Sequence, residues 1–163
     1  MHETTYDSLE AAATAARAGG LRERVVCYVT RGGDLLVFDH DPEEGAGVQV
    51  PAGGVEPGEH PADAARREVT EETGLTDLSG PRYLGSRAWV VGAREQNLAQ
   101  MRHYFHLEAA DAPDSPWRHF AEGRYWFVCR WVPRHASGLD WQLDEMIDSL
   151  DRAPRRGPLK EQA

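Results

Sequence analysis

Three glutamates stand close together near the end of one predicted helix. Glu68, Glu71 and Glu72 lie in the stretch RREVTEETGL, just ahead of Gly74. At about 100° per residue in an α-helix, their side chains span an arc of about 100° and share one face. Like charges at this spacing each cost about 0.2–0.5 kcal/mol on an isolated helix, and acidic groups in the last turn oppose the helix dipole. Because Arg67 offsets only part of this repulsion, the cluster predicts a bound cation.

The ordinary alternative for glutamates on a helix is an exposed acidic face. The upstream segment argues against it here, because Gly53, Gly54 and Gly58 allow backbone amides and carbonyls to approach a ligand closely. Carboxylates together with a carbonyl are hard oxygen ligands, which suit Mg²⁺ or Mn²⁺. Such ions keep several waters and bind substrate phosphates, so the pattern indicates chemistry on a diphosphate.

Three helices are predicted around this cluster. The glutamate helix spans residues 61–73, because Pro61 is favoured at a first helical position and Gly74 just past the last. A short helix is predicted at 7–17 from its spaced alanines and its polar cap. Apolar residues at helical spacing predict a third helix at 140–151.

Predicted strands supply the sheet on which these helices pack. They are rich in branched and aromatic residues and lie at 24–30, 34–40, 82–91, 101–108 and 125–132. The first two are joined by Arg31-Gly32-Gly33, which predicts a hairpin. The 163 residues fit one domain of the α+β class with a mixed β-sheet. Residues 1–20 are expected to form a helical extension and 152–163 a mobile tail.

The spacing through the glutamate helix resembles the signature of a known family. Gly53 is followed after five residues by Glu59, and after seven more by Arg67-Glu68-Val69, one residue, Glu71-Glu72, one residue and Gly74-Leu75. Every fixed position of the Nudix hydrolase signature is filled across residues 53–75. The resemblance implies an α/β/α sandwich with a mixed sheet between helices.

The resemblance also implies an activity, which is metal-dependent hydrolysis of a diphosphate linkage in a nucleoside diphosphate joined to another group. Water would attack phosphorus. Glu68, Glu72 and the carbonyl of Ala52 resemble the ligands of Mg²⁺ or Mn²⁺, and Glu71 resembles a third ligand or a water-mediated one. Arg67 resembles the residue that holds these carboxylates in place.

The general base of this family has no fixed position. Within the signature, the candidates are Glu68 and Glu71. Outside it, Glu122 and then His119 are the candidates, because both lie in the segment 113–124, which is predicted to be a loop just before a strand. The alternative is that both are ordinary polar loop residues.

Substrate contacts are harder to assign than metal ligands. Arg87, Arg102, Trp117 and His119 are candidates for binding phosphate or stacking on a base, and each has an alternative as a strand or loop residue without a ligand role. Glu59 lies near the helix start, where its charge suits the dipole, and is predicted to support the structure. The identity of the nucleoside diphosphate derivative stays open.

The overall charge limits the partners of the protein. A net charge of −9 opposes general attraction to nucleic acid or anionic lipid, whereas a divalent cation can bring a small phosphorylated substrate. The sequence has no apolar run of about 18 residues and no signal-peptide pattern, so we expect a cytoplasmic protein that does not enter membranes. Cys27 and Cys129 stand alone in apolar strands and are predicted to be buried, reduced thiols. A homodimer is compatible with the sequence.

Two other functions stay open on the same fold. A nucleotide-binding or RNA-binding module without catalysis is one, although such proteins tend to lose the signature carboxylates that are intact here. An isomerase is the other, and it would need a catalytic cysteine.

Overall fold

The computed structural model describes residues 4–43, 45–89, 99–110, 112–121, 123 and 125–152. In this part of the chain, two α-helices pack against one mixed sheet, which confirms the predicted α+β class. The helices are α1 (Leu9–Gly19) and α2 (Pro61–Thr73). The eight strands are β1 (Thr5–Tyr6), β2 (Arg22–Arg31), β3 (Asp34–Asp41), β4 (Ala52–Gly54), β5 (Ser79–Trp89), β6 (Gln100–Glu108), β7 (Trp117–Ala121) and β8 (Tyr125–Pro133). Within these ranges, no helix combines the length and apolar character needed to cross a membrane.

The strand order leaves an opening beside the centre of the sheet. The order is β1-β5-β6-β2-β3-β8-β7, and β2 and β6 are parallel. β2 and β3 pair only at Thr30–Leu35 and Arg31–Asp34, which confirms the predicted hairpin. Nearer its start, at residues 24–26, β2 pairs with β4 instead of β3. The short strand that begins the signature therefore lies at the middle of the sheet.

The two faces of the sheet carry separate apolar cores. On one face, Cys27 and Phe105 pack in a buried cluster with the small residues Ala65 and Val69 of α2. On the other face, a second cluster is built around Tyr28 and is covered by the segment from 139 to 150. The glutamate helix and this C-terminal segment thus enclose the sheet from opposite sides.

The helix α2 begins and ends at the predicted residues. His60 caps its start by accepting a hydrogen bond from the N–H of Ala62 at 3.0 Å. Gly74 ends it in the left-handed conformation, with φ of 80°. The helix predicted at 7–17 is also present, shifted by two residues, with Ser8 as its cap.

Both cysteines are buried, as predicted. Burial raises the pKa of Cys27 well above its ordinary value and that of Cys129 to about 12. A thiol acts as a nucleophile only as the thiolate, so neither residue suits the isomerase alternative.

Three strands are absent from the predicted set: β1, β4 and β7. The residues of β4 are Ala-Gly-Gly, which have no preference for strands and form one only because β2 has free backbone groups beside them. β7 pairs with β8 along the edge of the sheet. The prediction of a loop across 113–124 is therefore wrong at 117–121.

The helix predicted at 140–151 is wrong. Turns occupy 141–146, and a 3₁₀ helix follows at Ile147–Asp151. The hydroxyl of buried Tyr28 donates to the Leu143 carbonyl at 2.6 Å and accepts from the Met146 N–H at 3.2 Å. These backbone groups are thereby taken from the i, i+4 ladder of an α-helix. Leu143 and Met146 are nevertheless buried, as their apolar spacing suggests.

We expect Tyr28→Phe to lower the free energy of unfolding by about 1–3 kcal/mol, because two buried backbone groups lose their partner. Urea unfolding measures the change. Tyr6→Phe is the matched control, since no hydrogen bond joins the Tyr6 hydroxyl to another described residue. Equal stability of Tyr28→Phe and the wild type would show that the C-terminal turns do not depend on this hydroxyl.

Candidate active site

The strand β4 and the helix α2 hold two carboxylates side by side. A Cβ added at Gly53 would clash with the carboxylate of Glu68, so that carboxylate lies directly on the glycine backbone. Glu72, one turn further along α2, accepts a hydrogen bond from the N–H of Ala52 at 3.2 Å. Glu68 is 8% exposed and Glu72 4% exposed. The glycine is thus needed for close approach, as its place in the signature implies.

Burial makes this pair of carboxylates costly without a cation. Burial raises the pKa of Glu68 above its ordinary value, and hydrogen bonding with Glu72 and the positive charge of Arg67 oppose only part of this shift. Two carboxylates removed from water are stable only if they share a proton or bind a cation. Mg²⁺ and Mn²⁺ prefer oxygen ligands, and here a helix and a strand supply carboxylate and carbonyl oxygens. The residues present therefore fit such an ion.

Glu71 lies apart from the buried pair. Its side chain is 56% exposed, and its Oε2 lies 3.4 Å from Nη1 of Arg67. The three glutamates do not bring their oxygens to one point, as the helical wheel alone would allow. Among the described residues, side-chain ligand atoms of three His, Cys, Asp or Glu residues lie within 4.8 Å of one another only in an exposed C-terminal cluster: His135, Asp148 and Asp151.

Arg67 joins the helix, the strand and the loop between them. Its Nε and Nη2 each donate to Glu59 at 2.9 Å, in a bidentate pair. Nη2 also donates to the Gly54 carbonyl at 2.9 Å, and Nη1 donates to Glu68 Oε1 at 2.8 Å. Arg67 therefore contacts both the carboxylate of Glu68 and the strand on which that carboxylate lies. Its hydrogen bonds lower the pKa of Glu59 to about 2.

We expect Glu59→Gln to destabilise the protein at neutral pH and to matter less in acid. The folded pKa of about 2 lies below the ordinary value of 4.5, so the charge of Glu59 contributes stability above pH 4.5. That contribution is lost as the pH falls towards 2. Urea unfolding of both proteins from pH 7 to pH 3 measures it. Glu56→Gln is the control, since Glu56 is 66% exposed and 3.9 Å from Arg67. A pH-independent difference for Glu59→Gln would contradict this assignment.

Two of the predicted residues, His119 as an external base and Trp117 as a stacking residue, lie at the end of α2. A Cβ on Gly74 would lie 2.9 Å from Nδ1 of His119, so this ring rests against the helix terminus. Trp117 donates from Nε1 to the Thr73 carbonyl at 3.0 Å and is partly buried in the core. That contact gives Trp117 a structural role at the helix end. Glu122 lies outside the described residues.

Arg87 and Arg102 are register partners on the neighbouring strands β5 and β6. Both lie near Glu145, at 3.8 and 4.0 Å. Arg102 is only 4% exposed, and its guanidinium lies 4.4 Å from the ring centroid of Trp89. Arg102 reaches an open cavity of about 240 Å³ that also contacts Ala52.

Three residues of this cavity are not singled out by the sequence: Arg24, Trp89 and Trp141. They come from β2, β5 and the C-terminal turns, and nothing in their spacing connects them. The one available signal is Arg24, a charged residue at the start of the apolar run RVVCYV. However, a charged residue just before the buried part of a strand is also common where no ligand binds.

Comparison with known proteins identifies related sequences across the signature and beyond it. A family model described as a NUDIX domain matches residues 20–152. An NAD-capped RNA hydrolase of Pasteurella multocida is 38% identical over 65 residues, which are 40% of this chain and 24% of that protein. An RNA pyrophosphohydrolase of Brucella ovis is 47% identical over 49 residues, 29% of this chain and 28% of that protein. The chain thus spans about a quarter of the length of these relatives.

Solved structures share the arrangement of the sheet and helices. A NUDIX hydrolase from Nitrosomonas europaea superposes with a TM-score of 0.64, at 21% identity, over 86% of this chain and 95% of that one. At this identity the likeness concerns the fold.

Proposed function

This chain belongs to the NUDIX family, and from that premise we propose that it hydrolyses the diphosphate linkage of a nucleoside diphosphate joined to another group. The observation that carries the proposal is the buried pair of Glu68 and Glu72, held against β4 and oriented by Arg67. A folded chain keeps such a pair away from water at a cost in stability. A bound cation, and through it a phosphorylated substrate, offsets that cost.

Glu68 and Glu72 would hold Mg²⁺ or Mn²⁺, together with the carbonyl of Ala52. Glu71 would contribute through water, because its side chain is exposed beside the pair rather than within it. When bound, the ion polarises the phosphoryl oxygens, offsets the charge of the diphosphate and acidifies water. The N–H of Ala52 already contacts Glu72, so the peptide of Ala52 borders this site.

The remaining residues orient the reacting groups and accept the proton of the attacking water. The oxygen of water forms the new bond to phosphorus, and the bond from phosphorus to the bridging oxygen breaks with its electron pair on that oxygen. The proton of the attacking water passes to a base. Within the signature, Glu71 is the best placed, since it is solvent-exposed and contacts Arg67. Outside it, Glu122 stays a prediction, and His119 is the candidate among the described residues. The products are two phosphate monoesters.

Turnover of a panel of nucleotides tests the proposal. The panel holds an NAD-type dinucleotide, a nucleotide sugar and a dinucleoside polyphosphate, each with Mg²⁺ and with EDTA. We expect at least one compound to give two phosphate-bearing products with Mg²⁺ and none with EDTA. Binding of these compounds in the presence of Mg²⁺ without formation of any product would support the non-catalytic module instead.

A second candidate applies the same chemistry to the end of an RNA. Two relatives are named for hydrolysis of RNA, one as an NAD-capped RNA hydrolase and the other as an RNA pyrophosphohydrolase, which is the specific observation in its favour. The net charge of −9 argues against a broad RNA-binding surface. Comparing one dinucleotide free and at the 5′ end of a short oligonucleotide decides between the two. Faster cleavage on the oligonucleotide, by tenfold or more, would favour the RNA substrate.

We also propose a cytoplasmic location, because both cysteines of the described chain are unpaired and reduced thiols persist in that compartment. The homodimer stays a prediction, and sedimentation equilibrium would test it.

A further inference from the structure

A cleft of about 400 Å³ lies between the two helices, apart from the buried carboxylate pair. Its lining comes from α1, the start of α2, the start of β2 and the residue that follows β4. Ligand pockets measure about 300–1,000 Å³, so the cleft has room for one ring or a short chain. Glu59 also lines it, but both oxygens of Glu59 already accept hydrogen bonds from Arg67. The proposed hydrolysis therefore leaves this cleft without a role.

Much of the wall of the cleft is apolar. Both helices and the residue after β4 supply its apolar side chains: Leu9, Ala13, Val55 and Pro61. Leu9 and Val55 are only partly buried against the core under α2, so part of their surface faces the cleft. Such a wall favours contact with the hydrocarbon part of a ligand over contact with water. The charged residues of the cleft then decide which class of ligand fits.

Glu23 lines the cleft and is oriented by a chain of buried polar side chains. Its Oε1 lies 2.9 Å from Nε2 of His103, whose Nδ1 lies 2.6 Å from Oγ of Ser86. The Oγ of Ser86 in turn lies 2.6 Å from the hydroxyl of Tyr83. His103 and Ser86 are fully buried, whereas the side chain of Glu23 is 24% exposed. The buried chain therefore ends at a carboxylate on the surface of the cleft.

The protons along this chain leave the charge of Glu23 unbalanced. A carboxylate only accepts hydrogen bonds, so Nε2 of His103 carries a proton and donates it to Glu23. Burial lowers the pKa of His103, and the hydrogen bond with Glu23 opposes part of this shift, so the imidazole is neutral at pH 7. Its Nδ1 then accepts from the hydroxyl of Ser86. Side chains that are themselves held in this way fix a carboxylate in one orientation, as preorganised binding sites require.

The second oxygen of Glu23 is available to a ligand. Among the described residues, Oε2 of Glu23 has no hydrogen-bond donor, and no arginine or lysine forms an ion pair with this residue. Arg17 also lines the cleft, but its guanidinium donates to Thr14 at 3.4 Å. A carboxylate oxygen beside an apolar wall suits an ammonium group, which donates hydrogen bonds and carries the opposite charge.

We infer that this cleft binds an organic cation, with its ammonium group on Glu23 and its apolar body against α1 and Val55. The inference does not rest on the proposed function, because the cleft contains neither Glu68 nor Glu72. A neutral compound of the same shape binds more weakly, since it lacks the charge that Glu23 attracts. Binding of the cation persists even if the protein hydrolyses no nucleotide.

NMR titration of butylammonium, cyclohexylammonium and benzylammonium tests the site, with the alcohol of each carbon skeleton as its neutral counterpart. We expect at least one cation to bind, to shift the amide signals of the cleft and to bind at least about tenfold more tightly than its alcohol. Glu23→Gln should weaken that cation by at least about tenfold, because it removes a charge-assisted hydrogen bond. The amide of Gln keeps an oxygen that accepts from His103, so the buried chain stays in place.

Matched variants separate an oriented carboxylate from general acidity. Glu10→Gln removes the same charge from an exposed position at the cleft and should weaken the cation far less than Glu23→Gln. Ala13→Leu fills the cleft and should block binding, whereas Ala11→Leu, on the exposed side of α1, should not. Amide spectra establish that each variant is folded. The inference is overturned if no cation binds, if the alcohols bind as tightly, if both glutamine variants weaken binding equally, or if Ala13→Leu leaves affinity unchanged.

Discussion

Glu72→Gln is expected to lower kcat by about 10²- to 10⁴-fold, because a metal ion contributes several kcal/mol to stabilising the transition state and this variant removes one of its charged ligands. The amide keeps an oxygen that can accept the hydrogen bond from Ala52, so the local backbone should stay in place. Initial rates at saturating Mg²⁺ and nucleotide measure the loss. Glu10→Gln, the same change at an exposed position of α1, should retain full activity.

A thermal melt with and without Mg²⁺ separates loss of the ion from loss of the fold. A ligand that binds only the folded state raises the melting temperature with its concentration. We expect Mg²⁺ to stabilise the wild type and Glu10→Gln but not Glu72→Gln. Without metal, Glu72→Gln should be at least as stable as the wild type, since it removes one of two buried like charges. Full activity in Glu72→Gln would refute the assignment of the buried pair.

Gly53→Ala is expected to lower activity by at least about 100-fold, because a displacement of about 1 Å at a catalytic group has an effect of that size. The added Cβ would collide with the Glu68 carboxylate and push it off the strand. Because the added Cβ meets only the end of the flexible Glu68 side chain, which can move aside, the free energy of unfolding should change much less than the activity. Steady-state kinetics and urea unfolding measure the two effects.

Gly54→Ala makes a sharp control for this prediction. Gly54 is the next residue of β4, and the nearest atom to an added Cβ there is Nη2 of Arg22, at 3.9 Å, an ordinary contact. Its carbonyl, which accepts from Arg67, is unchanged by the substitution. We expect activity and stability near those of the wild type. If both glycine variants behave alike, close approach of Glu68 to the strand is not what the signature glycine provides.

Much of the fold follows from local chemistry. The limits of α2 are set by a capping residue, a proline at the first position and a glycine that takes up φ of 80°. The hairpin of β2 and β3 follows from two apolar strands with Gly32-Gly33 between them. The predicted cysteine burial holds because each lies inside an apolar strand. Each of these features depends on a few consecutive residues.

The C-terminal segment shows where local pattern stops being sufficient. Its apolar spacing correctly indicates that Leu143 and Met146 are buried, and wrongly indicates an α-helix. The hydroxyl that replaces the helical hydrogen bonds comes from Tyr28, more than one hundred residues away, and it selects turns in place of the helix. No feature of residues 140–151 carries that information.

The candidate active site likewise has features set by local sequence and features set by tertiary contacts. Residues 53–75 by themselves determined the helix, the glycine and the charged side chains that a cation requires, because periodicity places the glutamates on one helix face and the glycines precede that helix in the sequence. Only the tertiary structure decided that Glu68 and Glu72 are buried while Glu71 is not, and that Arg24, Trp89 and Trp141 line one cavity beside them. Burial and convergence depend on contacts between strands that are distant in sequence, and the pairing of those strands is set by the whole sheet.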